Sequence, residues 1–154
     1  MNDFSCGLEQ EFSSDTLSFS YQFEHNRVLI DGNTLYLNAD EFDCGKRGIN
    51  RDFRKTLKVN EYPHIKITLK ELFVEDAVAL PDEALVSIEI AGTARDYIVP
   101  LAEIENFENS IRVSGEKALN ISDFELEPPS ALFGLVKVRD ELKIEFNLLI
   151  SQNL

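Results

Sequence analysis

The chain has 154 residues, 44% of them hydrophobic, and carries a net charge of -13 at pH 7. This length and composition predict a single folded domain over residues 1–154 and exclude a disordered chain. The negative charge argues against nucleic acid and anionic membranes as partners, because both require a basic surface. We also expect no transmembrane segment, since every apolar run is far shorter than the ~20 residues that span a bilayer.

Alternation of apolar and polar residues is the main pattern, and it predicts strands with one face in a core. A first strand is predicted near residues 16–24, with an inward face formed by Leu17, Phe19, Tyr21 and Phe23. Two more strands are predicted at residues 27–31 and 34–42. Because Asp31-Gly32-Asn33 between them tolerates positive φ, we expect this pair to form a hairpin.

Residues 50–57 break the alternation and predict one short amphipathic helix. Asn50 is suited to the N-cap position, and Phe53 and Leu57 are spaced to lie on the same apolar face. Tyr62-Pro63 should end the helical segment and begin the next strand, since proline pushes the preceding residue to extended geometry.

The second half of the chain again alternates. Further strands are predicted at residues 65–69, 86–90, 95–100, 110–117, 119–124 and 141–150. Their inward faces include Ile65, Ile67, Leu69, Val86, Ile88, Ile90, Ile144, Phe146 and Leu148.

About eight strands without intervening helices predict an all-β fold and exclude a parallel βαβ sheet. The pattern does not separate a sandwich from an up-and-down barrel. The inward residues of the strands, together with Phe53 and Leu57, could fill a core or line a ligand cavity. From the alternation alone, the filled core is favoured.

Basic residues are concentrated at residues 46–58, where six basic and one acidic residue give +5 against -18 for the rest of the chain. One interpretation is a polar mouth for a phosphate or quinone head group, in which Arg47, Arg51 and Arg54 bind the ligand, because arginine binds phosphate through two hydrogen bonds. The alternative is a solvated helix face paired with neighbouring acids.

The two cysteines, Cys6 and Cys44, lie in repeated Phe-x-Cys segments. In an exported protein they could form a disulfide, and in a cytoplasmic one they would be buried thiols. A metal site needs more ligands than these cysteines, His25 and His64 readily supply. Because no catalytic or nucleotide-binding motif occurs, we predict that the protein is not an enzyme.

The order of several short motifs resembles that of the YceI-like family. The resemblance extends over about residues 4–148, and its last part is similar to shorter members from Bacteroidetes-type bacteria. The motifs are Arg51-Asp52 in the short helix, Tyr62-Pro63 before a strand, Ile88 to Gly92 and Tyr97 to Pro100 around a glycine turn, Ile121 to Phe124, and residues 128–140.

The resemblance implies a lipocalin-like antiparallel barrel, capped by the short helix, that encloses a polyisoprenoid, an isoprenoid quinone or a similar lipid and uses no cofactor. The alternative is a solid-cored structural or protein-interaction domain of the cell envelope. A homodimer is left open by either interpretation.

The family resemblance also implies a periplasmic or cell-envelope protein, whose precursor would carry a signal sequence before Met1. The residues from Met1 to Cys6 lack the basic and apolar stretches of such a signal, so that, read literally, they predict a cytoplasmic protein.

Overall fold

The computed structural model describes residues 6–10, 20–24, 26–31, 34–74, 81–108, 110–127, 130–131, 136–137 and 141–151. Within these ranges the chain is mainly β-structure with one α-helix. The elements in chain order are β1 Ser20–Glu24, β2 Arg27–Asp31, β3 Thr34–Asn38, α1 Arg47–Thr56, β4 His64–Phe73, β5 Glu83–Ile90, β6 Thr93–Asn106, β7 Ser110–Asn120, β8 Ser130–Ala131, β9 Val136–Lys137 and β10 Glu141–Ser151. Short 3₁₀ helices lie at Ala39–Glu41 and Ile121–Phe124.

Eight strands form one antiparallel sheet in the order β1-β2-β4-β5-β6-β7-β10, with β3 also paired to β4. The long strand β6 connects the two halves of this sheet. It pairs with β5 up to Pro100 and with β7 from Leu101 onwards, and the register shifts between Leu101 and Glu103. A bulge of this kind bends a strand, which lets β6 turn the sheet from one half into the other.

The apolar residues of β4 and β5 share one face of the sheet. Ile67 lies opposite Ile88, and Leu69 lies opposite Val86. A register shift follows Leu69 in β4, after which Leu72 lies opposite Ala84. Because side chains alternate between faces, this extra residue restores the apolar phase, so the inner face of β4 stays apolar along its length.

The most deeply buried residues collect where α1, the 3₁₀ helix Ile121–Phe124 and the inner face of the sheet meet. Phe124 is only 1% exposed there. Partly buried Phe53 and Ile144 pack against the same group. The buried residues of this cluster are Ala39, Leu57, Val59, Ile88, Ile90, Leu119, Phe124 and Leu126.

The predicted hairpin between β2 and β3 was wrong in its partners. Arg27 to Leu29 pair with Phe73 to Glu71 of β4, and Thr34 to Asn38 pair with Thr68 to His64 of the same strand. Both strands are antiparallel to β4 and therefore run in the same direction along it. The turn residues favoured a hairpin between the two short strands. Each of them pairs instead with β4, which is longer and has an apolar inner face.

Two local predictions also differ from the structure. Residues 110–117 and 119–124 were predicted as two strands. The structure has one strand there, β7, followed by a 3₁₀ helix with a capping box formed by Asn120 and Asp123. The helix α1 begins at Arg47, before the predicted start, and its N-cap residue is Lys46. Among the described helices, none is long and apolar enough to cross a membrane.

Candidate ligand-binding face and its helical cap

Most residues predicted to line a cavity lie on the inner face of the sheet or on the adjoining face of α1. Ile88, Ile90 and Leu57 are buried. Leu17 and Phe19 lie outside the described residues, and Tyr21, Phe23 and Leu148 fall within β1 and β10. The remaining predicted residues are only partly buried, and they are Phe53, Ile65, Ile67, Leu69, Val86, Ile144 and Phe146.

The burial of this inner face is therefore uneven. Near α1 core residues such as Leu57 and Ile88 are buried, whereas Leu69 in β4 and Phe146 in β10 keep part of their surface exposed. Exposed apolar area costs free energy that covering it would recover, at about 25 cal/mol per Å². The inner face is thus mainly apolar, and among the described residues it is only partly buried at Leu69 and Phe146.

Gly115 in β7 lets the inner face pack closely. A Cβ atom built on Gly115 would lie 2.7 Å from the ring of Phe146 and 2.7 Å from the backbone oxygen of Pro100. Because any other residue would collide with both, the glycine allows the Phe146 ring to lie across β7. The alternation predicted the inward position of Phe146, but it gave no sign that a glycine is required opposite this ring.

The helix α1 covers one end of the inner face through its apolar side. The rings of Phe42 and Phe53 have their centroids 5.4 Å apart, and Leu57 at the C-terminal end of α1 is buried in the core cluster. Burial of these side chains, and not helix propensity, holds so short a helix in place.

A covalent link secures the segment that leads into α1. Cys6 and Cys44 are joined by a disulfide, and the neighbouring residues Gly7 and Asp43 exchange backbone hydrogen bonds of 2.9 and 3.0 Å. The link attaches the described segment 6–10 to the loop directly before the helix.

Asn50, predicted as the N-cap, instead lies inside α1 and binds back to this loop. Its Oδ1 accepts a hydrogen bond of 2.6 Å from the Cys44 amide, and its Nδ2 donates to Asp43 at 3.2 Å. Hydrogen bonds from the Gly45 amide and from Asn50 lower the pKa of the Asp43 carboxyl. These contacts fix the start of the helix, which the sequence pattern had placed too late.

Two motifs of the YceI-like resemblance meet in space. Gly92 has a φ of 82°, and a Cβ atom on it would lie 2.9 Å from the ring of Tyr62. Pro63, which follows Tyr62 in the chain, accepts a hydrogen bond of 2.9 Å on its carbonyl oxygen from the Ala39 amide. Tyr62 therefore packs over the turn between β5 and β6, and residue 92 in that turn has to be glycine.

Comparison with known proteins supports the same fold. No family model and no curated protein matches the chain. Among solved structures, BcnA of Burkholderia cenocepacia aligns with a TM-score of 0.60 and 16% identity, over 87% of this chain and 83% of its own. The YCEI protein of Campylobacter jejuni aligns with a TM-score of 0.59 and 13% identity, over 99% and 94%. The chain has the YceI-like fold.

This fold confirms the predicted lipocalin-like antiparallel β-barrel with one short helix. In the YceI-like barrel of this chain, Arg47, Arg51 and Arg54 lie on the exposed side of α1. The Arg51 side chain is 79% exposed and has a carboxylate of Asp52 at 3.7 Å. The three guanidinium groups are therefore in water, beside the covered end of the inner face.

The inner face of the YceI-like barrel also carries polar side chains that sequence analysis missed. Tyr97 in β6 packs against Phe124, and its hydroxyl donates a hydrogen bond of 3.1 Å to Asp123. Burial and this hydrogen bond raise the pKa of Tyr97 to about 12. Lys117 and Arg95 occupy inward positions of β7 and β6. The sequence signal that could have revealed these residues is a polar residue at a strand position whose side chain points to the inner face.

Proposed function

We propose that the protein binds a long apolar ligand, such as a polyisoprenoid, an isoprenoid quinone or a similar lipid, along the inner face of the barrel and performs no chemistry on it. The observation that carries this proposal is the partial exposure of the inner-face residues Leu69 and Phe146, which do not pack against the core cluster. Each 100 Å² of apolar surface that a ligand covers would contribute about 2.5 kcal/mol before the cost of ordering the ligand.

The arrangement of the two ends of the inner face also supports a carrier. The side chains under α1 form a closed core, whereas those further along β4 and β10 are less buried. A long hydrocarbon chain lying on this less buried part of the inner face would remove its partly exposed apolar side chains from water. A compact polar ligand would leave these apolar side chains in water, so the surface favours an extended hydrocarbon.

In this proposal the arginines of α1 attract a charged head group to the mouth of the barrel. Arg47, Arg51 and Arg54 are exposed, and exposed ion pairs contribute little to affinity because water screens them. Their collective positive charge, within an otherwise acidic chain, would instead raise the rate at which an anionic ligand arrives.

We further propose that the protein works in the cell envelope. The Cys6–Cys44 disulfide supports this compartment, because such bonds form and persist where the environment is oxidising.

Native mass spectrometry of the purified protein, followed by organic extraction of any adduct, tests the proposed function. We expect a long-chain lipid or quinone in near one-to-one amount, or uptake of an added isoprenoid alcohol. A clean apo mass with no uptake of added isoprenoids would refute the carrier and favour a structural or protein-interaction domain.

A matched pair of variants on β5 tests where the ligand binds. Val86 lies on the inner face, and the adjacent Ser87 lies on the opposite face. We expect Val86→Gln to reduce lipid uptake about tenfold or more, because it places an amide against the hydrocarbon, and Ser87→Gln to leave uptake unchanged. Circular dichroism checks that both variants fold, and equal uptake by the two would place the ligand elsewhere.

A further inference from the structure

Lys117 lies on the inner, apolar face of the barrel. It pairs with Ile144 of β10, which packs against the core cluster, and its neighbours on the same face of β7, Gly115 and Leu119, are buried. Lys117 itself is partly buried. Lys117 therefore lies between Leu119 of the core cluster and Gly115, whose partner Phe146 belongs to the part of the inner face on which we place the ligand.

The lysines on the outer face differ from Lys117 in having partners. Lys66, Lys70 and Lys143 are bound to the carboxylates of Glu89, Asp96 and Glu116 at 3.2, 3.0 and 3.3 Å. None of the carboxylates whose side chains the structure describes pairs with Lys117. An ammonium group on an apolar surface is costly unless an anion or water satisfies it.

Among the side chains that the structure describes in the eight-stranded sheet, Arg95 is the other basic residue on the inner face, where it lies opposite Ile88 of β5. It shares that face with Tyr97, whose hydroxyl is bound to the Asp123 carboxylate. Arg95 is exposed, and its guanidinium donates a hydrogen bond of 3.2 Å to the Ala94 carbonyl, so it is less suited than the partly buried Lys117 to bind an anion within the apolar face.

We propose that Lys117 binds an anionic group of the ligand, so that the protein selects a long-chain carboxylate or phosphate over the neutral alcohol of the same chain length. This inference rests on the proposed function, because it requires an apolar chain on the inner face. Lysine is a compact charge with rotatable donors, and it can bind either a carboxylate or a phosphate by charge-assisted hydrogen bonds.

Isothermal titration of the full chain with hexadecanoate, hexadecyl phosphate and hexadecanol tests this selection. We expect the wild-type protein to bind at least one of the two anions about tenfold or more tightly than the alcohol, as charge-assisted hydrogen bonds to a ligand require. Whichever anion shows the greater preference identifies the head group as carboxylate or phosphate.

Single variants then assign the selection to Lys117. Lys117→Met keeps the apolar stem and should bring the affinities for anion and alcohol to within about twofold, whereas Lys117→Arg should retain the preference. Lys143→Met, on the exposed face of the neighbouring β10, removes the same charge and should leave the preference unchanged. Circular dichroism of each variant confirms folding.

The outcomes separate the two proposals. Equal binding of anion and alcohol by the wild-type protein, or an unchanged preference in Lys117→Met, overturns the role of Lys117 and leaves the apolar carrier intact. Loss of the preference in Arg95→Met but not in Lys117→Met assigns the anion-binding site to Arg95 and overturns the role proposed for Lys117. No binding of any of the three compounds overturns the role of Lys117, and the carrier is overturned as well only if the protein also takes up no added isoprenoid.

Discussion

Removing the disulfide with the double substitution Cys6→Ser and Cys44→Ser is expected to lower the free energy of unfolding by about 4 kcal/mol. The bond joins residues separated by 38 positions in the sequence. For a loop of that length, the entropy removed from the unfolded chain is about 13 cal/mol/K, which corresponds to about 4 kcal/mol at 25 °C. The unfolded chain gains this freedom when the bond is absent.

Urea unfolding followed by far-ultraviolet circular dichroism measures this change. With a denaturant slope of ~2 kcal/mol/M, the midpoint should fall by about 2 M, and the melting temperature should fall by roughly 8–16 °C. Reduction of the wild-type protein should produce the same shift, and reductant should not change the double variant further. Amide exchange at Gly7 and Asp43 should also accelerate, since their mutual hydrogen bonds lose the neighbouring link.

A shift smaller than about 1 kcal/mol would refute this reasoning, because it would show that the unfolded chain gains little freedom when the bond is removed. The double variant could lose about 4 kcal/mol of unfolding free energy while amide exchange at Asp43 stays unchanged. That result would support the entropy effect on the unfolded chain and refute the idea that the disulfide stabilises the segment before the helix.

Three further predictions concern the inner face and the core cluster. Gly115→Ala should cost about 1–3 kcal/mol in urea unfolding, and less when combined with Phe146→Leu, because the added methyl meets both that ring and a rigid backbone oxygen; equal costs in both backgrounds would contradict this contact. Phe124→Ala should cost about 3–5 kcal/mol by the same measurement, since the ring is 1% exposed; a cost below ~1 kcal/mol would contradict its place in the core. Absorbance near 295 nm should show a tyrosine that ionises with a pKa of about 12, and Tyr97→Phe should remove this ionisation. Because this pKa is raised from 10.0, the stabilisation by neutral Tyr97 is complete below pH 10 and is lost as the pH rises through 12; a variant with an unchanged late titration would refute the assignment.

The position of the candidate site could be predicted in part because it depends on local periodicity. Ile67 and Val86 were assigned to the inner face from alternation alone, and their register in the sheet places them there. Lys117 was missed although it lies in the same phase as Gly115 and Leu119. The predicted break after residue 117 split β7 into two strands and concealed that continuity.

The amino-acid sequence by itself determined that most segments form strands and that one forms a helix, since period two and the spacing of Phe53 and Leu57 arise from the backbone geometry of each segment. The tertiary structure decided which strands pair, because β2 and β3 meet β4 only after a long loop is closed. It likewise decided the partner of Asn50 and the need for glycine at residue 115, since both are set by atoms that only the folded chain brings into contact.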